Sequence, residues 1–185
     1  MSTKGRLLVA TPQMADDNFN RTIILMVEHT DAGALGVVIN RPGGVPVEEI
    51  LRGWAPLATE PAVMFVGGPV ERDAVLALGS HIDPDHAAET GTAMVVGPIG
   101  VVDLSRDPNE IGAALDGLRL FSGYAGWSPG QLDSEMDAGG WMPVDAAPAD
   151  VLTDQSTDLW RTVLSRQIDP AVRRLALYPS SVADN

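Results

Sequence analysis

Between Thr22 and Thr30 the chain runs Ile23-Ile24-Leu25-Met26-Val27 without a polar break. So short and continuous an apolar run predicts a β-strand over Thr22–His29 covered on both faces. Asp31 and Gly33 punctuate a turn, and Ala34–Asn40 supplies a second apolar arm, so residues 22–40 predict an antiparallel hairpin. Arg41-Pro42-Gly43-Gly44 predicts its end. Further strands are expected at Arg6–Ala10, Val63–Val66, Ala74–Leu78, Ala93–Val96, Ile99–Asp103, Leu120–Tyr124 and Trp141–Val144. Pro12–Asn20 and the acidic stretch His81–Thr92 read as loops.

Helical signals fall between these strands. Pro46–Arg52 has an acidic first turn, Glu48-Glu49, which suits a helix N-terminus. Asp107-Pro108-Asn109-Glu110 is a cap, a proline and an acid in helix-opening order, predicting a helix to about Leu118. In Thr153–Gln167, Leu159, Trp160, Val163 and Leu164 share one stripe, and Ala171–Ala176 predicts a last short helix. The densest signal is Phe121–Leu132. There Ser128 is placed to cap a helix running to Ala138, with Pro129 as its first residue and Gln131 reaching back to the cap's amide. Trp127 and Leu132 occupy the positions of a hydrophobic staple. Strands in runs, with helices scattered irregularly among them, predict a single α+β domain whose mixed, mostly antiparallel sheet curls toward a barrel.

Composition narrows the chemistry. The 185 residues are 45% hydrophobic, which suits one globular core. There is no cysteine, so a thiolate nucleophile, a disulfide and a Cys-ligated zinc are excluded. The apolar run Leu7–Ala10 is too short for a signal peptide or a membrane span, which predicts a soluble cytoplasmic protein without a membrane partner. A formal net charge of -13 argues against sequence-independent nucleic-acid binding. The C-terminal arginines Arg161, Arg166, Arg173 and Arg174 are interleaved with Asp154, Asp158 and Asp169, the pattern of a solvated helical face.

Four groups of residues carry possible chemistry. Arg21, Glu28, Asn40 and Arg41 lie near the ends of the hairpin arms, where pairing would let a guanidinium, a carboxylate and an amide line a pocket; a structural ion pair with a turn cap explains the same residues. His29 stands between Glu28 and Asp31, as a general base or metal ligand would, although Glu28 and His29 point to opposite faces of a strand. His81-Ile82-Asp83-Pro84-Asp85-His86 holds metal-ligating types in the composition of an exposed turn. Gly123, Gly126 and Gly130 offer amides to an anion, with Tyr124 and Gln131 as polar contacts and Trp127 as an apolar wall; a tight turn with a staple and a cap accounts for the same residues. No phosphate-binding loop, dinucleotide fingerprint or nucleophile elbow is present. No catalytic residue, metal ligand or cofactor is therefore assigned.

The segment Pro12–Pro42 contains Asp16, Phe19, Arg21-Thr22, Glu28-His29, Gly33-Ala34, Gly36 and Asn40-Arg41-Pro42. Together with Gly67-Gly68-Pro69-Val70, the run Phe121–Leu132, and Glu135, Gly139 and Trp141, it resembles the bacterial YqgE/AlgH family over nearly the whole chain. The resemblance implies a curled, barrel-like sheet flanked by helices and brings the label of transcriptional regulator, but no catalytic residues. The departure is greatest at residues 79–92.

These readings lead to a non-enzymatic module that binds a protein or small-molecule partner in a regulatory setting. Its expected ligand-binding surface joins Arg21, Glu28, Asn40 and Arg41 to Tyr124 and Gln131. The alternative is a hydrolase or other acid–base enzyme using Glu28 or His29, with Arg21 holding an anionic substrate. Direct DNA contact by a transcriptional regulator ranks below both on charge.

Overall fold

Ten strands build one sheet in the computed structural model, which describes residues 2–14 and 16–178; Ala15, inside the expected Pro12–Asn20 loop, lies outside the described residues. The strands are β1 (Arg6–Ala10), β2 (Ile23–Thr30), β3 (Gly33–Val38), β4 (Pro42–Pro46), β5 (Val63–Val66), β6 (Val70–His81), β7 (Thr92–Val96), β8 (Ile99–Val102), β9 (Leu115–Trp127) and β10 (Trp141–Asp145). Six short α-helices accompany them among the described residues: α1 (Val47–Ile50), α2 (Pro108–Ile111), α3 (Gln131–Asp137), α4 (Pro148–Val151), α5 (Leu159–Ser165) and α6 (Pro170–Leu175). The order is β10-β1-β2-β3-β9-β6-β8-β7, with β4 and β5 joined alongside β9. Every pairing is antiparallel except β5 with β9, which makes the sheet mixed. It also curls: a Cβ built on Gly5, just before β1, would sit 2.9 Å from the Val95 carbonyl oxygen of β7, at the far end of the strand order.

The β1–β3 strands are covered on both faces, as their unbroken apolar runs require. Leu7, Val9, Ile23, Leu25, Val37 and Ile39 pack inward with Phe65, Phe121 and the α5 residues Leu159, Trp160, Val163 and Leu164. Their neighbours Leu8, Ala10, Ile24, Met26 and Val38 point the other way, onto Trp127, Leu132 and Trp141 beneath α3. This is the period-two alternation of a strand with an apolar layer on each side. Trp160 locks α5 to β1 by donating its indole N–H to the Ala10 carbonyl at 2.8 Å.

Arg119 is a cation in the interior, only 2% exposed. It lies 4.3 Å from the centre of the Phe65 ring and donates to the carbonyls of Val151 (3.0 Å) and Glu60 (2.8 Å). Burial lowers its pKa to about 10, with the charge of Asp154 acting in the opposite direction, so it remains a cation at neutral pH.

Several elements differ from the sequence reading. The strand expected at Ala74–Leu78 extends over Val70–His81, and the one expected at Leu120–Tyr124 over Leu115–Trp127, because the two pair with each other along most of their length. Asp107 caps α2 as expected, its carboxylate accepting the Asn109 amide at 2.9 Å. The helix then stops at Ile111, and after one 3-10 turn the chain enters β9. The hairpin ends at Val38, before Arg41-Pro42-Gly43-Gly44 as expected, but Pro42–Gly44 then opens a further strand, β4, which pairs irregularly with β5. The helix expected from Thr153 begins only at Leu159, since Thr153 and its polar neighbours bond locally: the Thr153 hydroxyl accepts the Gln155 amide. The His81–Thr92 loop contains a 3-10 segment, Pro84–Thr90. Among the described residues, no helix is long and apolar enough to cross a membrane.

Candidate functional site

The expected hairpin-end cluster is split between opposite ends of one strand. Arg21 precedes β2 and Glu28 lies near its far end, so the six intervening residues, five of them in β2, separate them by roughly 20 Å. At the first end, Asn40 accepts the Ile23 amide at 2.8 Å through Oδ1 and donates Nδ2 to the Arg21 carbonyl at 2.9 Å. Arg21 adopts a left-handed backbone (φ 56°). Its guanidinium lies 4.8 Å from the Trp160 ring centre and donates to the Tyr178 carbonyl at 2.7 Å. Burial first, then the charge of Arg161, lowers its pKa. At the second end, Glu28 lies in a shallow depression with Thr30, Gly33 and Trp127. His29 Nδ1 faces the amide and hydroxyl of Thr3, and Nε2 lies 3.6 Å from Asp133 on α3. Arg21 and Glu28 therefore do not meet, and His29's partners come from the N-terminal segment and α3 rather than from Glu28 or Asp31.

The Gly123–Gln131 turn reaches a different site from the one its glycines suggest. A Cβ on Gly123 (φ 69°) would sit 2.7 Å from the carbonyl oxygens of Gly68 and Val70, so this glycine admits a crossing chain. Gly130 (φ 72°) is the helix-flanking residue, and α3 starts at Gln131 instead of Pro129. Half of the expected reciprocal cap forms: Gln131 Oε1 accepts the Ser128 amide at 3.1 Å. Trp127 and Leu132 share one cluster, as a staple would place them. Tyr124 engages Glu71, and its pKa is raised by burial and then by that carboxylate.

Glu135 gathers this end of the molecule. Its Oε2 accepts the indole N–H groups of both Trp127 and Trp141 at 2.9 Å, and its Oε1 accepts Gln131 Nε2 at 2.9 Å. Trp141 meets Trp127 edge-to-face with ring centres 6.0 Å apart, and meets Phe19 edge-to-face at 5.4 Å. Between these rings, α3 and the 11–21 loop opens a cleft of about 400 Å³ lined by Met14, Asp16, Phe19, Trp127, Gln131 and Glu135. The charged groups in its lining are both carboxylates, Asp16 and Glu135. Of the expected ligand-binding residues, Gln131 alone lines this cleft. Phe19, Glu135 and Trp141 were legible only as positions of family resemblance; the i, i+4 spacing of Gln131 and Glu135 was the local signal for their pairing.

A second, smaller cleft of about 190 Å³ lies between Arg41, Arg72, Asn18 and Ser122. The other candidates have internal partners. His81, 3% exposed, shares a 2.9 Å hydrogen bond with the Thr90 hydroxyl and accepts the Asp83 amide, whereas the exposed His86 pairs with Asp83. Among the described residues, no three His, Asp or Glu side chains are grouped to hold a metal ion. Arg166 is bound by both oxygens of Asp150 at 2.6 Å, which interrupts the C-terminal basic stretch.

The same organisation occurs in known proteins. A protein of Streptomyces avermitilis named UPF0301 is 47% identical over all of this chain and 96% of its own length. One from Rhodococcus erythropolis is 42% identical over 98% and 90%. A crystal structure of a Corynebacterium diphtheriae protein superposes with a TM-score of 0.88 at 33% identity, covering 94% of this chain and 91% of that one. The solution structure of the AlgH protein from Pseudomonas aeruginosa does so with a TM-score of 0.69 at 29% identity, covering 98% and 96%. With a family match spanning residues 7–171, the chain belongs to the AlgH-like family.

Proposed function

We propose that the protein is a binding module of the regulatory kind, and that the cleft between α3 and the 11–21 loop receives a compact organic cation, such as an alkylammonium or guanidinium group of its partner. The observation that carries this reading is the composition of the cleft. Its walls are Met14, Phe19 and Trp127, and its charged groups are Asp16 and Glu135. The Glu135 carboxylate is held by three neutral donors, which fix its position without cancelling its charge. An anion entering here meets like charge, while a cation with a short apolar stem finds both attraction and apolar cover; contact with an aromatic face adds about 0.5–2 kcal/mol. The net charge of -13 reinforces the preference for a basic partner.

The test is a titration with butylammonium, 1-butanol and butyrate, followed by tryptophan fluorescence and by the indole N–H resonances of Trp127 and Trp141. Butylammonium is expected to move both resonances and to bind at least ten times more tightly than butyrate. Glu135→Gln is expected to abolish that preference. Equal binding of the three compounds would overturn the cation assignment, and silence from all three would overturn the cleft itself.

A further inference from the structure

The smaller cleft has the opposite electrostatic character, and this inference is independent of the cation reading. Arg41, at the end of the hairpin, is directed across the preceding loop. Its Nη1 donates to the Asn18 carbonyl, and its Nη2 to the Asn20 carbonyl at 3.1 Å and the Asp17 carbonyl at 3.4 Å. These acceptors carry dipoles but no formal charge, so they orient the guanidinium without neutralising it. Arg72, at the start of β6, stands on the same cleft, and the Ser122 hydroxyl donates to its main-chain carbonyl. Gly68 and the apolar Val38 and Val66 complete the lining.

The chain has 25 acidic and 12 basic residues, yet among the described residues no carboxylate oxygen lies within 4.0 Å of either guanidinium. Carboxylates are abundant, so two arginines sharing a cleft without one leave positive charge at that point. Burial pushes the Arg41 pKa down, and the charge of Asp16 opposes this only in part. A bound anion relieves that desolvation. Arg41 is already immobilised by its carbonyl partners, which lowers the ordering cost of binding. The carbonyls engage three of the five N–H donors of Arg41, which leaves its Nε–H and one Nη1–H for an oxyanion, and Arg72 brings a second planar guanidinium whose fork matches two oxygens of a carboxylate or phosphoryl group.

We infer that the cleft between Arg41 and Arg72 is a binding site for a small oxyanion, a carboxylate or phosphoryl group, with Arg41 as the fixed anchor and Arg72 as the arm that closes on it. At about 190 Å³ it has room for the anionic head of a ligand, with any larger portion extending outward.

The experiment is calorimetric titration of the full chain with sodium phosphate and with sodium acetate. Sodium chloride at matched ionic strength serves as the reference, because any salt screens a protein of this charge. At least one oxyanion is expected to bind with a saturable isotherm that chloride lacks. Arg72→Gln is expected to weaken it at least five-fold. Arg52→Gln, the same change in charge at another exposed arginine, is expected to leave it unaltered. Saturation by phosphate alone identifies a phosphoryl ligand, and by acetate alone a carboxylate. Isotherms indistinguishable from chloride, or equal losses in the two variants, would overturn the site.

Discussion

Asn40 donates its side-chain amide to the Arg21 carbonyl while its Oδ1 accepts the Ile23 amide, so one side chain closes the open end of the β2–β3 hairpin. Asn40 is only 8% exposed, so water does not readily replace it. Asn40→Ala leaves a donor and an acceptor without partners, an expected loss of about 2–4 kcal/mol. Asn40→Asp keeps the bond from Ile23 but sets a carboxylate oxygen against the Arg21 carbonyl. Urea unfolding should therefore show both variants destabilised. Ligand affinity at the aromatic cleft should be unchanged in the folded fraction; altered affinity would place Asn40 in the binding machinery.

The hairpin, the short terminal strand β10 and the two-sided covering of β2 were legible because local pattern and burial agree there. The arms of β6 and β9 were not. Val70–Ala74 carries Glu71, Arg72 and Asp73 and is extended although mostly exposed, so no apolar alternation announces it. Leu115–Arg119 resembles the continuation of the capped Asp107 helix until pairing with β6 wins. The site was divided in the same way. Gln131 and its backward bond could be read from spacing, since they obey a local capping rule. The convergence of Phe19, Trp127 and Trp141 on Glu135's surroundings joins three separate segments, and only the tertiary fold brings them together. Arg21 and Glu28 failed as a pair for a simple geometric reason: most of β2 lies between them and holds them apart.

Glu135 is expected to matter for stability as well as for recognition. Glu135→Ala removes the acceptor of two indole N–H groups in a cluster where Trp127 is 7% and Trp141 2% exposed. A loss of about 2–4 kcal/mol follows from two stranded donors. Glu135→Gln retains one amide oxygen for the indoles, so its loss should be smaller, about 1–2 kcal/mol. Chemical denaturation followed by tryptophan emission should rank the alanine variant below the glutamine one. Equal losses in the two variants would mean that the charge they both remove, and not the hydrogen-bond acceptor that only alanine removes, holds the cluster.

The Asp83–His86 pair makes a prediction about pH. The hydrogen bond and charge of Asp83 hold the His86 pKa above the ordinary histidine value. A group raised in the folded state contributes its stabilisation fully below its unfolded pKa, and loses it as pH rises through the folded one. The pair should therefore support the Pro84–Thr90 turn in mildly acid solution and stop doing so as pH rises through the raised His86 pKa. Because His86 is exposed, the clearest readout is its imidazole proton resonances and not global stability. Their midpoint should lie above that of a model histidine peptide, and Asp83→Asn should bring it back. An unchanged midpoint in that variant would remove Asp83 as the cause.

Arg41 ties the two clefts together through the loop it clamps. Asp16 and Phe19 line the aromatic cleft, Asn18 lines the arginine cleft, and Arg41 bonds the carbonyls of Asp17, Asn18 and Asn20 between them. Arg41→Lys keeps the positive charge but replaces the planar fork with a compact ammonium that cannot span three carbonyls in the same geometry. The loop should loosen, with an expected stability loss of about 1–2 kcal/mol. Butylammonium affinity at the aromatic cleft should fall several-fold because Phe19 and Asp16 are no longer held in place. Arg72→Gln leaves those carbonyl bonds intact, so it should impair oxyanion binding while sparing butylammonium. Titrating both variants with both ligands separates the roles. If Arg41→Lys weakens the oxyanion alone, the clamp does not shape the aromatic cleft, and the two sites are mechanically separate.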